Sequence, residues 1–299
     1  MDFKTKYDTY LKAIEGQINT YFEKRDIPQG EVLEAMHYAI SAGGKRMRPV
    51  LTMGVAELFG ADADDAARVS LAVECVHNYS LIHDDLPCMD DDDLRRGRPT
   101  CHKVYGESTA LLAGDGLLNC AFEILSCKED FGSLCGENLL DITNCLAKAS
   151  GVWGMIGGQV IDLQHENRND VTLEEIILKH EGKTGALIRA AAICGCLCAK
   201  ASEDDVRVSA IDEFSSKIGL AFQIKDDILD VTGDEAVLGK PVGSDEEGGK
   251  VTFVSLLGID GAEAYLKKVT EEAKEALDIF GESAWFLTAL ADYLLGRSY

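Results

Sequence analysis

Six of the ten residues from Asp84 to Asp93 are aspartates, within "LIHDDLPCMDDDDLRRGRPT". Two carboxylates ~4 Å apart repel by ~4 kcal/mol at an effective dielectric of ~20, so the cluster needs a cation or full solvation. Pro87 is poorly tolerated inside a helix, so the apolar helix before it ends near Asp84 and Asp85. Asp90 follows at a DDxxD spacing lengthened by two residues. A second set, Asp226, Asp227 and Asp230, closes another apolar segment, "GLAFQIKDDILDVTGD". Asp226 and Asp230 are i and i+4 and share a helix face. Ligands that are all oxygen suit a hard cation, and Mg²⁺ takes one or two carboxylates plus substrate phosphates. Asp91, Asp92 and Asp93 are expected to be solvated.

Cations that an anionic substrate would require are also present. Lys45 and Arg48 follow a Gly43-Gly44 turn whose free N–H groups can face an anion. Arg95 and Arg96 follow the first acidic set, Lys183 and Thr184 lie in "KTGALIRA", and "GKPVGSDEEGGKVT" carries Lys240 and Lys250. Each alone reads as a surface cation; their combination with two acidic sets does not. His77, on an apolar helix, reads by itself as a core histidine.

The elements that must position these residues are helices. Helix formers dominate and period-2 alternation is scarce. Thr172 with Glu175 forms a capping box for the segment beginning "LEEIILKHEGKTGALIRAAA", and Ser202 with Asp205 is expected to do the same for the next helix. Asp62, Asp64 and Asp65 open a helix apolar on several sides, which is expected to be central and buried. The reading is an all-α fold of ten or more helices. With five prolines and no linker-like stretch, 1–299 is expected to be a single domain.

A net charge of -23 argues against nucleic acid, which needs a basic face. The ten cysteines show no CxxC pair and are expected to be reduced, mostly packing residues of a cytoplasmic protein. The longest apolar run, 190–199, is roughly half of a membrane span, so no transmembrane segment is expected.

The segments "GGKRMRP", "LIHDDLPCMDDDDLRRG", "GMIGGQVIDL", "HEGKTGALIRAA", "GLAFQIKDDILDVTGD" and "LGKPVGSD" run from Gly43 to Asp245. In that order they closely resemble the short-chain trans-prenyltransferases of the polyprenyl synthetase family, above all its bacterial fifteen-carbon branch. The resemblance implies a single large helical bundle around a deep central cavity, of the isoprenoid synthase type, a homodimer, and three Mg²⁺ ions per site. It implies head-to-tail condensation of isopentenyl diphosphate with dimethylallyl and geranyl diphosphate to farnesyl diphosphate; geranylgeranyl diphosphate is the alternative product.

By motif, Asp84, Asp85, Asp90, Asp226, Asp227 and Asp230 would hold the allylic diphosphate through metal. Arg95, Lys183, Thr184, Gln223, Lys240 and Lys250 match positions contacting that substrate, with Lys183, Thr184, Gln223 and Lys240 closest to the chemistry. Gly44, Lys45, Arg48, His77 and Arg96 match a metal-free isopentenyl diphosphate site. Tyr79 and Ser80, about one turn before Asp84, match positions that limit chain length. Gly182 stands where relatives vary, and the tail carries a single arginine, Arg297. A terpene cyclase would need no second diphosphate site, and a non-catalytic partner subunit would be expected to lack one acidic set.

Overall fold

The computed structural model describes residues 1–23, 26–166, 168, 170–202, 204–233 and 250–296. Lys240 and Arg297 lie outside them, as does most of the glycine-bearing segment before Lys250. Thirteen α-helices are described, with one two-residue-stranded hairpin, so the all-α expectation holds. In chain order they are α1 (Phe3–Tyr21), α2 (Gly30–Ile40), α3 (Met47–Leu58), α4 (Ala63–Asp84), α5 (Cys101–Tyr105), α6 (Glu107–Ser126), α7 (Gly136–Ser150), α8 (Met155–His165), α9 (Leu173–His180), α10 (Ala186–Cys198), α11 (Val206–Thr232), α12 (Phe253–Ala276) and α13 (Trp285–Leu295). The chain divides into two compact units. The first comprises Met1–Thr143 and Cys194–Lys200, the second Asn144–Ile193 and Ala201–Tyr299.

In the first unit α4 is the central rod. Asp62 caps it, accepting from the Asp64 and Asp65 N–H groups at 3.0 Å, as its type and position foretell. The helix is apolar on most sides: Val69, Leu71, Ala72, Val73, Cys75 and Val76 are all buried. Asp65 is buried too, accepting from the Gly132, Ser133 and Leu134 N–H groups and from Ser133 Oγ, which pins the loop after α6. Arg46, left-handed at φ 47°, reaches Glu74 at 2.8 Å inside this unit, and Asn78 Nδ2 donates to the same carboxylate at 2.9 Å. A buried ion pair needs such further hydrogen bonds to offset its desolvation.

In the second unit α11 and α12 pack around Phe253, Ile224, Ile228 and Val269, all buried. Thr172 and Glu175 form the expected capping box of α9. The segment it opens is not one helix: Glu181–Gly185 forms a π turn between α9 and α10. Ser202 does not cap α11. Lys200 goes left-handed at φ 59°, Ser202 Oγ accepts from Asp204 N–H in a turn, and Asp205 caps instead, accepting from Arg207 N–H at 2.9 Å. All ten cysteines are free. Among the described residues no helix is long and apolar enough to cross a membrane.

Candidate active site

The first acidic set is built by the C-terminus of α4 and the turns after it. Asp84 is the last helical residue and Asp85 caps it. Asp90 N–H donates to the Asp84 carbonyl at 2.8 Å, so the two intervening turns bring Asp90 back beside the helix end. Asp84 is half-buried, Asp85 buried and Asp90 exposed. Burial raises the Asp85 carboxyl above the usual range, and Arg95 Nε, 2.6 Å away, offsets part of that. Asp91 to Asp93 are exposed, as expected, with Asp93 paired to Lys103 at 2.6 Å.

Arg95 and Arg96 sit on a feature the sequence reading missed. Leu94–Arg95 pairs antiparallel with Arg98–Pro99, and the connecting Arg96 and Gly97 have φ 54° and 73°. Positive φ at both central residues is the tight turn that matches strand twist. The "RGR" triplet was its signal. The turn sends Arg96 Nη1 to the Gly43 carbonyl, with its guanidinium lying on Gly44. Gly44 has φ 112°, a backbone conformation that strains any side chain, and a Cβ there would also push the Arg96 guanidinium aside.

Arg95, Arg96 and Arg98 line a cavity of about 30 Å³ with Asn78, Asp85 and Tyr38. Arg98 lies over the Tyr38 ring at 4.5 Å. Tyr38 and Arg98 were not singled out from sequence. Arg48 Nη1 lies 3.3 Å from His77 Nε2. Guanidinium can only donate, so His77 accepts there as the neutral Nδ1–H tautomer. Desolvation, and then the charges of Arg48, Arg96, Arg95 and Arg46, hold this imidazole well below its ordinary value. Lys45 is half-buried, and its carbonyl accepts from the Tyr7 hydroxyl.

Tyr79 is buried, its ring edge-on to His83 at 5.8 Å, and His83 bonds the Leu111 carbonyl of α6. At about 100° per residue, Tyr79 stands about 140° around α4 from Asp84. Ser80, four residues before Asp84, shares its face and donates to the His77 carbonyl at 2.9 Å.

In the second unit the π turn presents Lys183 and Thr184. Two glycine approaches set its place. A Cβ on Gly158 would overlap the Lys183 backbone, and one on Gly182 would stand 2.9 Å from Gly158 Cα. That is the physical reason for Gly182 in this chain. A Cβ on Gly219 of α11 would lie 3.2 Å from Gly185 Cα, so the turn seats one helical turn before Gln223. Thr184 Oγ1 is then 3.0 Å from Gln223 Oε1, and Gln223 Nε2 is 3.3 Å from Asp226 Oδ2.

Lys183 Nζ meets Asp162 at 2.6 Å, and buried Lys179 meets the same carboxylate at 3.3 Å. Burial alone would raise the Asp162 carboxyl, but Lys183, Lys179 and Lys250 together hold it down to about 2. Lys250 itself is exposed. Asp162 and Lys179 also escaped the sequence reading, although Asp162 stands in the quoted "GGQVIDL". Asp227 is buried and accepts from Phe253 N–H at 2.7 Å, at the start of α12, where a carboxylate is favoured. Asp230 is buried and Asp226 half-buried.

Among the described residues, no three His, Cys, Asp or Glu side chains already converge as a metal site. The oxygen-only donors of both sets nevertheless fit a hard cation that draws its remaining ligands from a substrate. Asp85, lifted by burial with an arginine as partner, is a carboxylate that gains from a further positive charge.

An all-α chain with two aspartate-rich helix ends and a distinct arginine cluster has the architecture of the isoprenoid synthases. It matches the Polyprenyl synthetase family model over residues 29–282, and the chain belongs to that family. It is similar to the farnesyl diphosphate synthase of Bacillus subtilis (strain 168), 45% identical over 96% of both chains. It is also similar to that of Escherichia coli (strain K12), 41% identical over the full length of both. Among solved structures it resembles an FPP/GFPP synthase from Zymomonas mobilis (TM-score 0.87, 36% identity, 98% of both chains). It further resembles a Helicobacter pylori geranyltransferase complexed with magnesium and isoprenyl diphosphate (TM-score 0.81, 33% identity, 97% of this chain and 96% of that one).

Proposed function

We propose that this chain is a trans-prenyltransferase that condenses isopentenyl diphosphate head-to-tail with dimethylallyl and then geranyl diphosphate, making farnesyl diphosphate. The observation that carries the reading is the presence of both acidic sets together with a separate metal-free cluster, Arg48 on His77 and Arg96 on Gly43 and Gly44. A reaction that joins two diphosphates needs both kinds of site.

Asp84, Asp85 and Asp90, and Asp226, Asp227 and Asp230, are the residues that would hold three Mg²⁺ ions and through them the allylic diphosphate. Bound Mg²⁺ supplies positive charge where negative charge develops on the leaving diphosphate, worth several kcal/mol. Arg95, Lys183 and Lys250, and Lys240 by its motif alone, would add positive charge to the same group; one well-placed donor contributes roughly 10²–10³ in rate. Lys183 is paired with Asp162, so it acts as a held cation and not as a nucleophile. The hydroxyl oxygen of Thr184, whose hydrogen is directed to Gln223, offers lone pairs to the allylic cation. Gly44, Lys45, Arg48, His77 and Arg96 would bind isopentenyl diphosphate. After the new carbon–carbon bond forms, the proton lost from the condensed product passes to the departed diphosphate.

The chain works as one catalytic domain, and the working form is a cytoplasmic homodimer. The buried Tyr79, with Ser80, limits the product to fifteen carbons. Geranylgeranyl diphosphate is the second reading, favoured by an Arabidopsis thaliana heterodimeric geranylgeranyl pyrophosphate synthase large subunit 2 that is 39% identical over 99% of this chain. Incubation with isopentenyl diphosphate, each allylic diphosphate and Mg²⁺, followed by chromatography of the dephosphorylated products, separates the two. A fifteen-carbon product is expected; a twenty-carbon product supports the second reading, and no product from any pair refutes both.

A further inference from the structure

His180 ends α9 immediately before the π turn. Its ring stacks on Phe253 at 5.5 Å and 23° between planes, and it is 8% exposed. Burial, and then the Lys179 charge, bring this imidazole down to about 3, so it is neutral at physiological pH. Its Nδ1 lies 3.0 Å from Gln223 Oε1, the oxygen that also takes the Thr184 hydroxyl at 3.0 Å.

A carboxamide oxygen only accepts, so both neighbours must donate, and His180 is the Nδ1–H tautomer. The amide NH₂ is then turned to Asp226 Oδ2. The flipped amide would set Gln223 Oε1 against the Asp226 carboxylate, acceptor against acceptor. It would also face the His180 N–H with an N–H. The Nδ1 proton and the Asp226 carboxylate therefore favour the same amide orientation. His180 Nε2 is buried and makes no hydrogen bond among the described residues. A buried acceptor left unpaired is a cost to folding, and an apolar side chain would fill the place beside Phe253 without it. The imidazole is thus explained by what Nδ1 does.

We infer that His180 is a positioning residue, whose Nδ1–H fixes the Gln223 carboxamide with its NH₂ toward Asp226 and so orients the first carboxylate of the second acidic set. The inference rests on the reading of Asp226 as part of the allylic diphosphate site.

The experiment has two parts. Nitrogen-15 NMR of the wild-type histidine rings at pH 7 should find His180 protonated at Nδ1 and bare at Nε2. An Nε2–H ring overturns the inference whatever the enzyme makes. Kinetics then compare His180→Leu, His180→Asn and His180→Asp. Leucine keeps the bulk but loses the donor: kcat should fall about tenfold and KM for geranyl diphosphate should rise, with KM for isopentenyl diphosphate unchanged. Asparagine can donate from the same place and should recover most of the loss. Aspartate when ionised can only accept there, and at high pH, where it is ionised, it should be as impaired as leucine or more. If leucine does not fold, the asparagine–aspartate contrast carries the test. No difference among the variants, or equal effects on both KM values, overturns it. Absence of turnover in the wild type with every allylic substrate would instead remove the prenyltransferase reading and leave the tautomer result standing.

Discussion

Replacing Asp162 by asparagine removes one charge and almost no volume. In the wild type that carboxylate lies 2.6 Å from Lys183 Nζ and 3.3 Å from Lys179 Nζ, and the Asp162 and Lys179 side chains are 16% and 8% exposed. Its carboxyl is held at about 2 against an ordinary 3.8. At about 1.4 kcal/mol per tenfold, that difference corresponds to about 2.5 kcal/mol of stability at neutral pH.

Because the folded value is the lower one, this contribution is complete above the unfolded value near 4 and is lost as pH falls toward 2. About half of it remains at pH 3. The asparagine variant should therefore be less stable at pH 7 by about 2.5 kcal/mol, and by more where Lys179 is left buried without a counter-charge. The gap should narrow by about 1 kcal/mol between pH 4 and pH 3. Urea unfolding of both proteins at each pH, followed by circular dichroism, measures it. Equal stability at pH 7, or a gap that does not change below pH 4, would refute the argument.

Asp84→Ala and Asp226→Ala should lower turnover by orders of magnitude at saturating Mg²⁺ while melting close to the wild type, since both carboxylates are half-buried and not core; steady-state rates with thermal melts check this. Arg48→Ala and His77→Ala should raise KM for isopentenyl diphosphate with little change for geranyl diphosphate, and Lys183→Ala should do the reverse. Kinetics varying each substrate in turn distinguish them, and a uniform effect sinks the partition. Tyr79→Ala should shift products to twenty carbons or more with a modest loss of total activity, read by chromatography; an unchanged fifteen-carbon product puts the limit elsewhere. Asp65→Ala, far from any chemistry in sequence, should cost about 3 kcal/mol in urea, because four donors in the loop after α6 lose their acceptor.

Much of this molecule is legible locally. Asp62 and Thr172 cap the helices they precede, because an N-cap needs only a short polar side chain and the next two or three N–H groups. Asp84 ends α4 because Pro87 follows. The same logic misplaced the cap of α11: Ser202 and Asp205 are both good caps, and Asp205 takes the place while Ser202 closes the turn before it.

The sequence by itself determined the helical class, the two acidic sets and the cations beside them, since composition, period and spacing are properties of the chain. It did not contain the Arg95–Asp85 pair, the Arg96 contact with Gly43, the two lysines on Asp162 or the His180–Gln223–Asp226 relay. The relay joins residues 43 positions apart from His180 to Gln223, and Asp162 stands 21 from Lys183. No local rule reaches that far. The close glycine approaches of Gly158 to Lys183 and of Gly219 to Gly185 seat the π turn against α8 and α11 and bring Lys183 and Thr184 to their partners, while the Arg96–Gly97 hairpin turn places the two arginines.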